Sequence, residues 1–179
     1  MHPYRMQRLI KDRGKDQVIN VAQRASLYQT ISQLLRAELI TFWETERQEG
    51  FPERTIYKLT EKGHQTAVSW LRDMLSEPTQ EFPEFPAAVS LLPLLTPDDA
   101  IHQMELREKT LSKQIASIDK EMKNTGDLPR LFLLEADYMR VMLETELQWV
   151  RSVIADIRSG TLNWNQDWMR PSVPPENEE

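Results

Sequence analysis

At 179 residues, with 40% hydrophobic and 28% charged residues, the chain fits a soluble globular domain or a small domain with an appendage. It has no cysteine, which excludes disulfides, thiolate catalysis and cysteine-metal sites; no apolar run nears a membrane span, and MHPYRMQRLIKDRG lacks a signal-peptide core, so a cytoplasmic location is expected. The net charge of -6 is uneven: residues 1–64 hold 11 basic and 8 acidic side chains, residues 65–179 hold 11 and 20. A basic leading part on an acidic body suits a DNA-reading domain carried by an assembly module, although chance clustering gives the same count.

In chain order, Pro3–Arg13 reads as a short helix, with Met6, Leu9 and Ile10 at helical spacing and Gly14 to end it. Arg24–Ala37 reads as a second helix, with Leu27, Ile31, Leu34 and Leu35 as its apolar stripe. Two β-branched and aromatic segments follow, Leu39–Trp43 and Thr55–Leu59, around the polar stretch ETERQEGFPER. That pattern is a β-hairpin with a long charged loop, the shape of a wing. Thr60 caps a helix reaching about Leu75, with Val68, Leu71 and Leu75 expected inward and Trp70 beside them.

The proline-rich SEPTQEFPEFP marks a boundary. The expected organisation is a DNA-binding domain over 1–77, a linker over 78–86, a helical dimerisation arm over 87–162 and a disordered tail over 163–179. In the arm, Ala87–Leu95 reads as a short helix, and Thr96-Pro97-Asp98-Asp99 is a strong helix start. Ile101, Met104, Leu111, Ile115, Ile118 and Met122 then form a heptad seam broken by Glu108. A last helix is expected from Arg130 to Ser159, with Leu134, Tyr138, Val141, Met142, Trp149, Val150, Val153 and Ile157 on a broad apolar face and Gly160 at its end. Such long helices need each other and, most simply, a second copy. The residues assigned to dimerisation are Met104, Leu111, Ile115, Ile118, Tyr138, Met142, Trp149 and Val153.

The segments SLYQTISQLLRAELI and IYKLTEKGHQTAVSWL resemble the PadR family of bacterial transcriptional regulators. His2-Pro3-Tyr4 resembles the motif opening that family's second helix, and LPRLFLLEADYM with ELQWVRSVIADIRSG resembles the long arm of its larger subfamily. The resemblance reaches from the start to Trp164. It implies a mainly α fold with a small β-hairpin wing: a winged helix-turn-helix, then a helical, coiled-coil-like dimerisation domain. It implies a homodimer on a pseudo-palindromic DNA operator, usually as a repressor. A small aromatic effector near the junction of arm and domain would tune it.

The sequence departs from the family in three places. No helix precedes the His-Tyr motif, which would uncover Leu9, Ile31 and Leu35 and suggests that the natural protein begins upstream. Glu38 stands where the family has glycine at the helix exit, and Gln29 where proline is common.

A recognition helix must present short polar donors with positive charge around them. Ser26, Gln29, Gln33 and Arg36 share the polar side of the second helix; Gln pairs with adenine, and Arg with guanine or phosphate. The resemblance gives the Tyr28 hydroxyl a phosphate contact, where the plain alternative is a core-edge aromatic. Arg47 sits among Glu44, Glu46 and Glu49, so any wing contact should fall on Arg54 and Lys58. Arg5, Arg8 and Lys11 are candidate backbone contacts. Trp149 and Trp70 are candidate stacking partners for an effector; the plainer role of Trp149 is a core anchor. Trp164 and Trp168 are expected to be unpacked. His2, His64 and His102 are isolated and no glycine-rich phosphate loop exists, so no catalytic residue, metal or cofactor is expected. The rival reading is a helical dimeric interaction protein whose winged helix has lost DNA binding.

Overall fold

The computed structural model describes residues 1–12, 14–15, 24–46 and 54–165. The side chains of Tyr4, Ser26 and Arg54 lie outside the described residues, as do residues 47–53, Arg47 among them, and the chain from 166 on, including Trp168. Contacts divide the chain into two compact units, Met1–Glu81 and Phe82–Glu179. No described helix is long and apolar enough to cross a membrane.

The first unit runs α1 (Pro3–Asp12), α2 (Arg24–Arg36), β1 (Ile40–Glu46), β2 (Arg54–Leu59) and α3 (Glu61–Ser76). Helix α2 ends by a left-handed residue at Glu38, with φ of 60°. Leu39 N–H donates to Leu34 O at 2.9 Å and Glu38 N–H to Leu35 O at 3.0 Å, the paired bonds that close a helix C-terminus and turn the chain. β1 and β2 pair antiparallel from Ile40↔Leu59 to Glu46↔Arg54, with a bulge between Phe42 and Glu44. Met1 lies along β2, its carbonyl accepting from Tyr57 N–H at 3.3 Å.

Thr60 then ties three segments together. Its hydroxyl accepts from Gly63 N–H at 2.9 Å and so caps α3. The same hydroxyl faces the carbonyls of Glu38 at 2.7 Å and Leu39 at 3.1 Å, where its proton is donated. Among the described apolar side chains of this unit, Ile31 and Leu39 are buried, whereas Leu9 and Leu35 are half-buried. The inward assignment of α3 needs correction. Only Gly63 of that helix is buried; Leu71 is exposed and Leu75 is 87% exposed. Their helical spacing is real, but no described element of this unit covers that stripe.

The second unit runs α4 (Glu84–Ser90), a 3₁₀ turn (Leu92–Leu94), α5 (Pro97–Asn124), a second 3₁₀ turn (Arg130–Phe132) and α6 (Leu134–Ser159). Helix α4 starts three residues before Ala87, inside the stretch read as linker. Pro83 stands at its N-cap, and Pro86 falls in the first turn, where no backbone N–H is needed. Thr96 caps α5, accepting from Asp99 N–H at 3.2 Å, and Gly160 ends α6 at φ 77°. The last helix does not begin at Arg130 as an α-helix; a 3₁₀ turn comes first, after Pro129.

Helices α5 and α6 pair along the apolar seam. Met104, Leu111, Leu147, Val150 and Ile154 form one buried cluster, on which Phe85, Val89, Leu92, Ile115 and Val153 pack. Ala100, Ile157 and Trp164 form a second cluster. Ion pairs flank the seam: Arg107–Glu146 at 2.5 Å, Asp119–Arg140 at 2.7 Å, Glu108–Arg151 at 2.7 Å, and Glu105–Arg158. The hydrogen bond to Asp119, with Glu144 alongside, holds the Arg140 guanidinium above its ordinary pKa. Glu108, the polar break in the heptad pattern, is thus the partner of an arginine on the facing helix.

Two assignments change here. The polar, proline-rich surroundings of Trp164 suggest an unpacked side chain at the head of the tail, and the structure differs. Trp164 is 8% exposed, and its indole N–H donates to Leu95 O at 2.8 Å. The broad apolar face of α6 also splits. Val150 and Ile157, with Leu147 and Ile154, are buried against the unit's own core. Leu134, Tyr138, Val141, Met142 and Trp149 are exposed.

Candidate nucleic-acid interface

Helix α2 presents two faces. Ile31 is buried and Leu27, Leu34 and Leu35 are half-buried, while Tyr28, Gln29, Gln33 and Arg36 are exposed. At about 100° per residue, Gln29, Gln33 and Arg36 fall within an arc of roughly 60°, with Tyr28 beyond its edge. The structure thus brings three of the four polar candidates onto one open strip; the fourth, Ser26, has its side chain outside the described residues. The strip offers two carboxamides and one guanidinium, groups that pair with base edges and phosphates. Arg36 lies in the last turn of α2. On α1, Arg5, Arg8 and Lys11 are exposed, and Arg8 reaches Asp12 at 3.4 Å.

The hairpin is a separate surface. Phe42 and Trp43 are both exposed, because the bulge after Phe42 breaks the strict alternation of β1. Lys58 is exposed, and its Nζ stands 4.3 Å from the centre of the Trp43 ring. Glu44 is exposed on the same strand. The side chain of Arg54, the other wing candidate, lies outside the described residues. In the sequence Trp43 reads only as part of a strand. The signal available was two consecutive aromatic residues where alternation calls for one.

The remaining candidates stand in different places. Trp70 is exposed on α3 of the first unit. Trp149, on α6 of the second, is 43% exposed, so it is not the core anchor of its own unit. Its ring meets Phe85 edge-on, with centroids 5.8 Å apart at 86°, and the Arg107 guanidinium lies 3.5 Å over the Phe85 ring. Phe85 went unnoticed in the sequence because it sat in the segment read as linker. Of the arm residues, Met104, Leu111 and Ile118 are buried within the unit, Ile115 and Val153 are partly buried, and Tyr138 and Met142 are open. Among the described residues no group of three or more His, Cys, Asp or Glu could hold a metal ion.

No family model matches the sequence, and no curated protein does either. Solved structures do match. Bacillus subtilis PadR in complex with operator DNA superposes with a TM-score of 0.70 at 19% identity, over 88% of this chain and 91% of that one. The same protein in complex with p-coumaric acid gives 0.69 at 16% identity, over 88% and 90%. The smu.1604c protein of Streptococcus mutans UA159 gives 0.54 at 20% identity, over 75% and 80%. The described residues, mostly helical with a two-stranded hairpin, therefore have the fold of a PadR-family regulator, a winged helix followed by a long helical part.

Proposed function

We propose that the chain is a dimeric, sequence-specific DNA-binding transcriptional regulator acting as a repressor. The observation that carries this reading is the open Gln29–Gln33–Arg36 strip on α2, in a fold whose neighbour is a protein bound to operator DNA. The two glutamines and the arginine read base edges in the major groove, with Ser26 beside them and Tyr28 on phosphate. Exposed Arg5, Arg8 and Lys11 supply sequence-independent attraction to the backbone. A homodimer places two such helices on half-sites about one helical turn apart and excludes the transcription machinery by occupancy. A planar aromatic effector stacks on the exposed ring of Trp149, beside Phe85 and Arg107, and shifts the balance between DNA-competent and incompetent states.

The test is a mobility-shift titration against the DNA upstream of the protein's own gene, repeated over a range of salt. Gln29→Ala with Arg36→Ala should weaken binding roughly ten-fold or more, since a bidentate base contact is worth about 1–3 kcal/mol. Equal affinity in the double variant would show that α2 is not the reading helix. The rival reading, an interaction protein without DNA, draws on the exposed Glu44 of the wing strand and the overall acidity. It predicts no steep salt dependence at all.

A further inference from the structure

The wing strand carries an arrangement that the recognition helix does not explain. Trp43 sits at a β-bulge with 55% of its surface open, although a tryptophan in a two-stranded hairpin has an apolar body to bury. Thr41 and Lys58 are cross-strand partners, and Trp43 is the extra residue of the bulge two positions on, within reach of the Lys58 side chain. Its ammonium lies 4.3 Å from the ring centre. Lysine has a long, freely rotating stem, so a contact with the ring limits where its charge points. The pair is therefore a flat apolar ring with a cation held over one of its faces, which leaves the rest of the ring to pack on a partner. A sugar-phosphate backbone has the matching parts, an apolar sugar face next to an anionic oxygen.

We propose that Trp43 and Lys58 act as one backbone-contacting unit of the wing: the ring packs on a deoxyribose and the lysine takes the adjacent phosphate. This rests on the DNA-binding reading above and adds to it a residue outside the reading helix. The neighbouring carboxylate of Glu44 repels phosphate, so among the described side chains of the hairpin the attraction falls on Lys58 and its platform. Trp43 is in part a positioning residue. Its loss costs the sugar contact and also frees Lys58 to leave the phosphate.

The experiment measures binding of the full chain to two fluorescent duplexes, one cut from the region upstream of its own gene and one of random sequence at low salt. Lys58→Ala should weaken binding to both by about five- to ten-fold or more and lower the slope of log affinity against log salt by about two, roughly one for the phosphate lost by each protomer. Trp43→Ala should weaken both by a similar factor, Trp43→Phe should retain most of the affinity, and the double alanine variant should fall short of the product of the two losses. Circular dichroism and thermal melts confirm that each variant is folded. Folded Trp43→Ala binding like the parent, or a double variant showing strictly multiplied losses, would overturn the unit. So would a Trp43→Ala change confined to self-association in sedimentation, which would assign the surface to a protein partner. Failure of the parent chain to bind either duplex would instead remove the DNA reading itself, and this inference with it.

Discussion

Gly63 stands where the first turn of α3 meets the exit of α2. A Cβ built on it would lie 1.9 Å from Leu39 O and 2.8 Å from Leu39 C, both backbone atoms that no rotamer change can move. The Thr-x-x-Gly spacing from Thr60 follows from this. Thr60 needs Gly63 N–H within reach to cap the helix while its hydroxyl faces the carbonyls of Glu38 and Leu39. Gly63→Ala should therefore destabilise the first unit by about 3 kcal/mol or more, read as a lower denaturant midpoint for that unit. A melt like the parent's would mean that the α2 exit can shift away from α3. Glu38 offers the opposite case. It holds a φ of 60°, which favours glycine, and its ion pair with Lys62 at 3.4 Å is exposed and weak. Glu38→Gly should stabilise the chain by about 0.5–1 kcal/mol; an unchanged or lower midpoint would contradict the strain argument.

At the scale of elements, what could be read in advance is what is encoded in neighbouring residues. Thr60 and Thr96 cap, Pro97 fills a first helical position and Gly160 closes a helix, each through bonds within a few residues. What escaped depends on distant partners. Trp164 looked like part of a polar tail because its acceptor, Leu95 O, lies 69 positions earlier. Phe85 looked like linker because its packing partners lie on α5 and α6. Leu71 and Leu75 looked inward because periodicity records which residues share a face, not whether anything covers it. The polar strip of α2 was legible for the converse reason: exposure needs no partner, only a polar arc opposite a buried Ile31. Trp164 also gives a sharp test of how the helices are closed off. Trp164→Phe keeps an aromatic body but removes the donor to Leu95, and should cost the second unit about 1–2 kcal/mol. Trp164→Ala should cost about 3 kcal/mol or more, because a cavity then opens beside Ala100 and Ile157. Equal stability of all three proteins would mean that the indole is a passive cover.

For the whole molecule, the distribution of apolar surface matters more than any single contact. The seam of α5 and the Leu147–Val150–Ile154 side of α6 are already buried within one chain, so they leave little for a second copy. The opposite side of α6 is different. Leu131, Phe132, Tyr138, Val141 and Met142 are all exposed, Tyr138 by 66%. Their spacing puts the last three on one helical stripe, continuous with the 3₁₀ turn before it. Scattered exposed leucines need no explanation, but an aligned row of large side chains marks a surface that meets something. A two-fold axis across this stripe would set the same row on itself, which is the simplest way to satisfy it. Tyr138→Glu with Met142→Glu should then leave helicity and melting nearly unchanged, since neither side chain belongs to a buried cluster, but should turn a sedimenting dimer into a monomer. Operator binding should weaken with it, because two half-sites engaged through one dimer gain affinity from effective concentration, which a monomer lacks. If the double variant sediments as the parent does and binds DNA as well, the stripe is not the dimer contact. The proposed pairing would then fall to apolar surface elsewhere, of which exposed Leu71, Met74 and Leu75 on α3 are the next row.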